Sequence, residues 1–317
     1  SITYVEALGQ GIHATSADEE LTIHYAGALY GEGGNDILRS SGYVSSALYG
    51  GDGDDQLYGG ASNNYLDGGT GNDYLQGGNN NTTYVFAKGY GHDTVATKRY
   101  KTSNAAVVKL LDLDAGDVEY EIKARVDGNA VYNDFVIRIK ETGETMTILD
   151  GRGAWQNQIQ QIDFSNWESL TFSQILQSGL LINGSLADDN LYGSSGNDVL
   201  AGGLGNDYLE GGAGDDTYIF GRGDGQDTIY DNAGSNDLLT FLDINPAELW
   251  FAKSGNSLTI GLVGLQDNVT INDWYYSNSY KVETIQAGDY AITESQVQLM
   301  VQAMATVGTP GGADGQW

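Results

Sequence analysis

The chain has 317 residues and is strongly acidic, with 43 Asp and Glu against 14 Lys and Arg and a formal net charge of −29. This charge argues against nucleic acid and anionic membranes as partners, because both would repel it. There is no cysteine, which excludes disulfides and a thiol nucleophile. No apolar run approaches the roughly 18 residues that a spanning helix needs.

Residues 1–27 are predicted to be a lead segment or cap with one candidate strand, at residues 21–25. The chain begins with Ser and shows no signal peptide. We therefore expect it to be a piece of a larger protein.

Residues 28–95 are predicted to form a first repeat block with a period of nine, which fits neither a helix nor an amphipathic strand. Glycine supplies sharp corners at this period, a three-residue strand turns one apolar side chain inward, and two repeats make one turn. The apolar residue at position eight of each repeat recurs as Leu38, Leu48, Leu57, Leu66, Leu75 and Tyr84.

Position six of this block alternates between Asp and neutral residues. Asp36, Asp55 and Asp73 alternate with Ser46, Asn64 and Thr82. Because alternate repeats share an edge of the coil, we expect cations along one edge and neutral hydrogen bonds along the other. A decayed block that binds no metal is the alternative.

The sequence at the end of this block recurs later in the chain. Residues 84–95 match residues 218–229 at a constant offset of 134, which makes Asp93 and Asp227 candidate ligands of a last turn. The chain is therefore predicted to be a tandem duplication of a repeat block and a cap. Residues 96–183 form the first capping region, in which Thr171 and Gln174 make a capping box for a helix.

A second repeat block is predicted at residues 184–229, with the four units GSLADDNLY, GSSGNDVLA, GGLGNDYLE and GGAGDDTYI. Every unit has Asp at position six, so both edges carry carboxylates. A disordered Gly/Asp-rich linker is the alternative, but disorder would not place Leu or Tyr at every ninth position. The acidic series is Asp189, Asp198, Asp207 and Asp216, and the apolar series is Leu191, Leu200, Leu209 and Tyr218.

Carboxylates and corner carbonyls at this spacing predict an all-oxygen cage, which suits Ca²⁺ better than Mg²⁺. We expect about six to eight calcium ions from the number of edges. The candidate ligands are Gly31, Gly33, Asp36, Gly50, Asp52, Gly53, Asp55, Gly68, Gly71, Asp73 and Asp93 in the first block, and Gly184, Asp189, Gly193, Gly196, Asp198, Gly202, Gly205, Asp207, Gly211, Gly214, Asp216 and Asp227 in the second.

Residues 230–317 are predicted to be a second capping region of alternating strands. A capping box from Thr293 to Gln296 opens a helix with Val297, Met300, Val301 and Met304 on one face. Two interpretations of the cap aromatics stay open: a plug for the open coil end, or a platform for a sugar or peptide. The candidate platform is the segment Asn272–Tyr276, with Trp274, Tyr275 and Tyr276. The candidate plug comprises Trp155, Trp167, Trp250, Trp274, Tyr275 and Tyr276.

The segments GGLGNDYLEGGAGDDTYIFGRGDGQDTIY, AELWFAKSGNSLTI and VTINDWYYSNSYKVE resemble the C-terminal repeat blocks of RTX (repeats-in-toxin) cytolysins, among them the adenylate cyclase toxins. The resemblance covers residues 184–305, with a weaker echo in residues 31–176. It implies an all-β, parallel β-roll in two blocks, each followed by a β-rich cap with a short helix. It also implies a chain that stays unfolded in the cytosol, leaves by type I secretion and folds on extracellular calcium.

No catalytic motif accompanies the repeats: the three histidines form no H-E-x-x-H, and no G-x-S-x-G is present. We therefore expect a non-enzymatic, secreted or cell-surface, monomeric module of a toxin or adhesin, with calcium ions and the type I secretion apparatus as partners. The alternative is a calcium-dependent module of an adhesin that binds a glycan or peptide. An accessory block of an epimerase or lipase is a weaker third hypothesis.

Overall fold

The computed structural model describes residues 2–3, 11–78, 80–96, 106–127, 130–149 and 159–306. The chain divides into two compact units: Ser1–Glu121 with Tyr132–Ile175, and Ile122–Val131 with Leu176–Trp317. Each unit contains a coil of short parallel strands followed by antiparallel hairpins. The predicted all-β parallel roll in two blocks is confirmed.

Twelve strands form the coil of unit 1, and successive strands alternate between two sheets. Odd-numbered strands pair in parallel in one sheet and even-numbered strands in the other. Leu48 pairs with Leu66 in register, so one turn takes two repeats. In chain order, β1–β12 are Ile2–Thr3, Ile12–His13, Glu20–Ile23, Gly27–Gly33, Ile37–Ser40, Ser46–Asp52, Gln56–Tyr58, Asn64–Thr70, Tyr74–Gln76, Thr82–Phe86, His92–Ala96 and Ala106–Leu110.

Antiparallel hairpins continue both sheets of unit 1. After a 3-10 helix at Ala115–Asp117 come β13–β17, which are Val118–Asp127, Ala130–Ile139, Thr145–Ile148, Ile159–Asp163 and Ser169–Thr171, and then α1, Phe172–Gln177. Strand β15 pairs in parallel with β11 and antiparallel with β14. Strand β16 pairs in parallel with β12 and antiparallel with β17. The coil therefore ends where its parallel ladders turn antiparallel.

Unit 2 follows the same plan with fewer turns. Its strands β18–β24 are Leu181–Asn183, Asn190–Tyr192, Val199–Ala201, Tyr208–Glu210, Thr217–Phe220, Gln226–Tyr230 and Leu238–Phe241. Its cap consists of β25–β29, which are Leu249–Ser254, Ser257–Leu262, Asn268–Ile271, Thr284–Ala287 and Tyr290–Thr293, two 3-10 helices, Pro246–Glu248 and Asn278–Tyr280, and α2, Glu294–Ala305. Strands β27 and β28 make the change from parallel to antiparallel pairing.

The core of each coil is a file of position-eight side chains between the two sheets. All of them are at most 1% exposed, and burial of one such side chain stabilises the fold by roughly 1.5–3 kcal/mol. The predicted inward series is thus confirmed. Its members are Leu38, Leu48, Leu57, Leu66, Leu75 and Tyr84 in unit 1 and Leu191, Leu200, Leu209 and Tyr218 in unit 2.

The lead segment pairs with the repeats that follow, one of the two arrangements expected of it, whereas the caps differ in part from expectation. The strand predicted at residues 21–25 is β3, which pairs in parallel with β5 and so belongs to the roll. Trp167 is 97% exposed and cannot be part of a plug. Trp155 lies outside the described residues. Among the described helices, none is both long and apolar enough to cross a membrane.

Both capping boxes are present. The backbone N–H of Thr171 donates to Gln174 Oε1 at 2.9 Å, and that of Thr293 donates to Gln296 Oε1 at 2.8 Å. Helix α2 buries Val297, and the other residues of its predicted face, Met300, Val301 and Met304, are half-buried. Met304 Sδ accepts a hydrogen bond from the Phe251 N–H at 2.9 Å. The closing helices therefore begin where the sequence predicts.

Candidate metal centre

The position-six aspartates stack in rows, one residue per turn, and each is only 1–2% exposed. They precede or open the strands of one sheet edge, so parallel register brings equivalent residues together. Aspartates that sequence analysis placed on one edge do share that edge. Row 1 contains Asp36, Asp55, Asp73 and Asp93; row 2 contains Asp189, Asp207 and Asp227; row 3 contains Asp198, Asp216 and Asp237.

A ladder of hydrogen bonds orients the carboxylates within each row. The backbone N–H of Asp36 donates to Asp55 Oδ1 at 2.7 Å, and that of Asp55 donates to Asp73 Oδ1 at 2.8 Å. The same contact joins Asp73 to Asp93 at 3.0 Å. Charge-assisted bonds of this kind fix the carboxylate plane. Each row aspartate except Asp189 therefore uses Oδ1 to bind the preceding turn.

The second carboxylate oxygen of most row aspartates is buried without any hydrogen-bond partner. No ion pair among the described residues includes a row aspartate. A buried, unpaired anionic oxygen is strongly unfavourable unless a cation compensates it. These oxygens are Oδ2 of Asp36, Asp55, Asp73, Asp93, Asp207, Asp216 and Asp227, and Oδ1 of Asp189.

Asp198 is an exception within row 3. Ser194 donates both its backbone N–H and its hydroxyl to this carboxylate. Ser185 similarly donates its N–H and hydroxyl to Oδ2 of Asp189. Because protein donors already occupy these oxygens, the first turn of the second block has less free ligand capacity than the later turns.

The first glycine of each acidic repeat lies against the row carboxylate of that repeat or a carbonyl of the next turn. A methyl group at Gly50 would come closer than 3.0 Å to both Asp55 Oδ2 and the carbonyl oxygen of Gly68. A carboxylate oxygen and a carbonyl oxygen of the next turn thus converge at this α-carbon. The same crowding by a row carboxylate or a next-turn carbonyl is found at Gly31, Gly68, Gly184, Gly193, Gly202 and Gly211.

The corner glycines stack directly on the carbonyls of the preceding turn. Gly53 has φ 126° and Gly71 has φ 136°, and a methyl group on Gly71 would clash with the carbonyl of Gly53. The left-handed backbone requires glycine at these corners. Gly205 and Gly214 repeat this arrangement with φ 140° and 125°, and Gly196 is equally crowded by the preceding turn.

Two predicted ligands of the first block, Gly33 and Asp52, differ from the other candidates in their surroundings. The left-handed glycine corner of the first repeat is Gly34, with φ 100°, whereas a methyl group on Gly33 would meet nothing closer than 3.8 Å. The side chain of Asp52 is exposed and accepts a hydrogen bond from Thr70 Oγ1 at 2.9 Å. It therefore does not join row 1.

The neutral edge of unit 1 is closed by hydrogen bonds, as expected. Ser46 Oγ donates to Asn64 Oδ1 at 3.2 Å, and Asn64 Nδ2 donates to the carbonyls of Gly60 and Ser62 at 3.1 and 2.7 Å. Thr82 Oγ1 donates to a loop carbonyl at 3.4 Å. This edge satisfies its own polar groups and leaves no anionic oxygen for a cation.

Two family models match the chain, one of them at the position-six aspartates and the other in the second cap. The RTX calcium-binding nonapeptide repeat (4 copies) matches residues 28–42, 49–84 and 183–218. The haemolysin-type calcium binding protein related domain matches residues 258–286. The chain is an RTX protein. It contains an RTX calcium-binding module, and every position-six aspartate of its nonapeptides lies within the matched repeats.

Among solved structures, this RTX chain is similar to the extracellular lipase LipA from Serratia marcescens, at 19% sequence identity and a TM-score of 0.22. The match covers 74% of this chain and 42% of the lipase chain. The chain thus spans less than half the length of that protein. A superposition this weak carries no argument about fold or activity.

Position five of the RTX repeats forms a second ladder that sequence analysis missed. The backbone N–H of Asp54 donates to Asn35 Oδ1 at 3.0 Å, and that of Asn72 donates to Asp54 Oδ1 at 2.8 Å. This ladder points the opposite way from the position-six ladder. Asn or Asp at position five of every acidic repeat was the available signal. It explains the paired aspartates, Asp54-Asp55 among them.

Asp237 is a row member outside the nonapeptides. Its Oδ1 accepts from the backbone N–H of Asp216 at 2.7 Å, and its own N–H donates to Glu283 Oε2 at 2.8 Å. The sequence signal was Asn236-Asp237 followed by apolar Leu239, as in a repeat. It was missed because Asp237 follows Asp216 by 21 residues and not by 18.

Burial disfavours ionisation of the row carboxylates when no cation is bound. It raises the pKa of Asp55 and Asp73 to about 7 and that of Asp93 to about 9, and neighbouring carboxylates raise these pKa values further. Burial likewise raises the pKa of Asp227 to about 7. Unpaired buried oxygens beside backbone carbonyls fit Ca²⁺, a hard cation that takes six to eight oxygen ligands at about 2.3–2.6 Å.

The predicted aromatic platform is not assembled. Trp274 is fully buried, whereas Tyr276 is 70% exposed. Lys253 Nζ lies 4.3 Å from the centroid of the Tyr275 ring and covers one of its faces. Trp274 therefore fills the core of the second cap, and the three side chains do not present one surface to a ligand.

Proposed function

We propose that this chain is a calcium-dependent folding module of an exported RTX protein, a toxin or an adhesin. The observation that carries the proposal is the set of stacked, buried carboxylates with unpartnered oxygens. In this proposal the module has no catalytic role. It acts as a monomeric part of a longer secreted or cell-surface protein.

Calcium would be held by the free oxygens of the row aspartates, together with carbonyls of the glycine corners. The ion would supply positive charge and link successive turns. The protein's own contribution is to orient each carboxylate through Oδ1, as Asp36 does for Asp55. It also removes side chains where the oxygens converge, as at Gly50.

The same arrangement opposes folding when calcium is scarce. Like charges one turn apart repel each other, and this repulsion strengthens when water is excluded. Because the sites do not exist in the unfolded chain, the free energy of calcium binding becomes free energy of folding. A net charge of −29 also keeps the calcium-free chain expanded, which suits passage through a type I secretion channel.

The test is far-UV circular dichroism during a calcium titration from chelator to about 10 mM, above the range of extracellular modules. We expect a cooperative transition from coil to β structure between about 0.1 and 1 mM calcium. Magnesium is the control, and it should not substitute at the same concentration. A chain that is fully folded in chelator would contradict the proposal.

Two substitutions separate calcium binding from ordinary stability. Asp207→Ala removes a row carboxylate and should raise the calcium midpoint roughly tenfold or more. Asn64→Ala removes the acceptor of the buried Gly60 N–H and should cost about 1–3 kcal/mol of unfolding free energy. It should leave the number of ions taken up on folding unchanged. Equal effects of both variants on that number would contradict the assignment of one acidic edge in unit 1.

A glycan- or peptide-binding role has no support from the cap aromatics, because Trp274 is buried. Titration of tryptophan and tyrosine fluorescence with sugars in calcium is the corresponding measurement. Saturable quenching that disappears in chelator would favour the adhesin hypothesis over a folding module alone.

A further inference from the structure

Three buried carboxylates meet where the roll of unit 2 passes into its cap. Asp231 directly follows β23, and Asp237 directly precedes β24. One oxygen from each of them and one from Asp216 lie within 4.8 Å of one another. The three residues are at most 1% exposed. Asp231 and Asp237 lie outside the residues that the family models match.

The hydrogen bonds around this cluster account for only part of its oxygens. Asp231 Oδ2 accepts from the Tyr218 hydroxyl at 3.0 Å, and its Oδ1 accepts from the Ala233 N–H at 3.2 Å. Asp237 Oδ1 accepts from the Asp216 N–H. Asp216 Oδ2 is buried and has no partner. All these donors are neutral, and none of the ion pairs among the described residues involves the cluster.

The free oxygen of Asp216 is directed into the cluster. A methyl group at Gly211 would come closer than 3.0 Å to both Asp216 Oδ2 and the Tyr218 hydroxyl. That hydroxyl in turn donates to Asp231. The unpartnered oxygen therefore lies on the side of Asp216 that faces Asp231.

A backbone carbonyl adds a further oxygen. Gly234, with φ 110°, lies where a methyl group would clash with Asp237 Oδ2 and with the carbonyl oxygen of Gly214. The cluster thus combines three carboxylates, two of which bound the turn between β23 and β24, with at least one nearby backbone carbonyl. An all-oxygen set of this kind, built partly from a turn, matches the preference of Ca²⁺.

We propose that Asp216, Asp231 and Asp237 bind a calcium ion that closes the roll of unit 2. This inference rests on the proposed function and adds a site beyond the nonapeptides. The third carboxylate, Asp231, distinguishes it from the rows, in which consecutive position-six residues face each other. The ion joins the 231–237 turn to the last repeat, and Asp237 passes the connection on to Glu283 of the cap.

Unit 1 provides an internal comparison. At the constant offset of 134, the residue that corresponds to Asp231 is Thr97. Tyr84, which corresponds to Tyr218, accepts from the Gly77 N–H at 3.1 Å just as Tyr218 accepts from Gly211. The tyrosine is therefore common to both rolls, but the acidic residue is specific to the second. We expect the closing ion only in unit 2.

The experiment measures how many calcium ions the full chain takes up on folding. The free energy of unfolding rises with the logarithm of calcium concentration in proportion to the number of ions bound, and equilibrium dialysis on folded protein gives an independent count. Asp231→Asn should lose one ion in both measurements. Asp289→Asn, an equal charge change at an exposed turn position, should lose none.

If Asp231 has only a structural role, Asp231→Asn should lower the unfolding midpoint but leave the dependence of unfolding free energy on the logarithm of calcium concentration (the calcium slope) unchanged. An unchanged calcium slope together with an unchanged ion count would overturn the inference. Tyr218→Phe removes the hydroxyl donor but keeps the three carboxylates, so it should retain the ion. Loss of the ion in Tyr218→Phe as well would also overturn the inference. Failure of the proposed function is distinguishable, because the wild-type chain would then show no calcium slope at all.

Discussion

At the scale of single residues, the glycines of one repeat are required for two different reasons. Gly51 and Gly53 have φ 116° and 126°, so the backbone angle itself selects glycine. Gly50 has no positive φ, but a carboxylate oxygen and a carbonyl oxygen leave no room for a methyl group there. The first glycine is therefore selected by its contact with the buried carboxylate and carbonyl oxygens.

Gly50→Ala tests this distinction. The new methyl group must displace Asp55 Oδ2 or the Gly68 carbonyl, and we expect a loss of about 1–3 kcal/mol together with weaker calcium binding. Gly116→Ala is the control, because a methyl group there meets nothing within 4 Å. Calcium titrations followed by circular dichroism compare the two variants. Equal midpoints would refute the steric explanation.

The row aspartates of the nonapeptides could be predicted because their spacing is regular and the roll places alternate repeats on one edge. Asp237 could not be found by period, since the chain has left the nonapeptide spacing before it. The role of position five was hidden for another reason: Asn35 and Asp54 act on backbone groups of a neighbouring turn, and composition does not reveal that partner. The periodic aspartates were therefore predictable, whereas the aspartate beyond the last repeat and the hydrogen-bond partners of position five were not.

At the scale of elements, each cap replaces a parallel ladder by an antiparallel hairpin and ends in a helix. The helix start and the apolar face of α2 follow from a local signal, the capping box and the 3.6-residue pattern. The positions of the aromatic side chains did not follow from such a signal. Trp274 is buried and Trp167 is exposed, and both lie in turns outside the strands, where the alternation of a strand does not determine which way a side chain faces.

Helix α2 should contribute to stability through Val297, which is fully buried, and not through Leu299, which is 66% exposed. We expect Val297→Ala to lower the free energy of unfolding by about 1–3 kcal/mol. Leu299→Ala, although it removes a larger side chain, should change it by less than about 0.5 kcal/mol. Urea unfolding in saturating calcium measures both. The reverse order would show that α2 does not pack as described.

At the scale of the whole molecule, the buried acids control how the calcium-free protein responds to pH. The folded chain raises the pKa of Asp55 and Asp73 to about 7 and of Asp93 to about 9, compared with about 3.9 in an unfolded chain. The folded state thus binds protons more tightly than the unfolded state. Its calcium-free stability is greatest near about pH 4 and is lost as pH rises through about 7–9.

In calcium-free buffer we therefore expect more β structure at about pH 5 than at about pH 9. Far-UV circular dichroism across this range makes the comparison. Saturating calcium should flatten the profile, because the ion replaces the protons on the row carboxylates. A β content that increases with pH in the absence of calcium would contradict the raised pKa values.

The alternation of successive strands between two sheets limits how such an array can change length during evolution. Insertion or deletion of a single nonapeptide would move every following repeat to the opposite sheet. In unit 1, deletion of the repeat that contains Asp55 would place Asn64 against Asp36 and Asp73 against Ser46, and both ladders would lose their present partners at that point. Duplication of 18 residues preserves the edges. We expect descendants of this gene to gain and lose repeats in pairs.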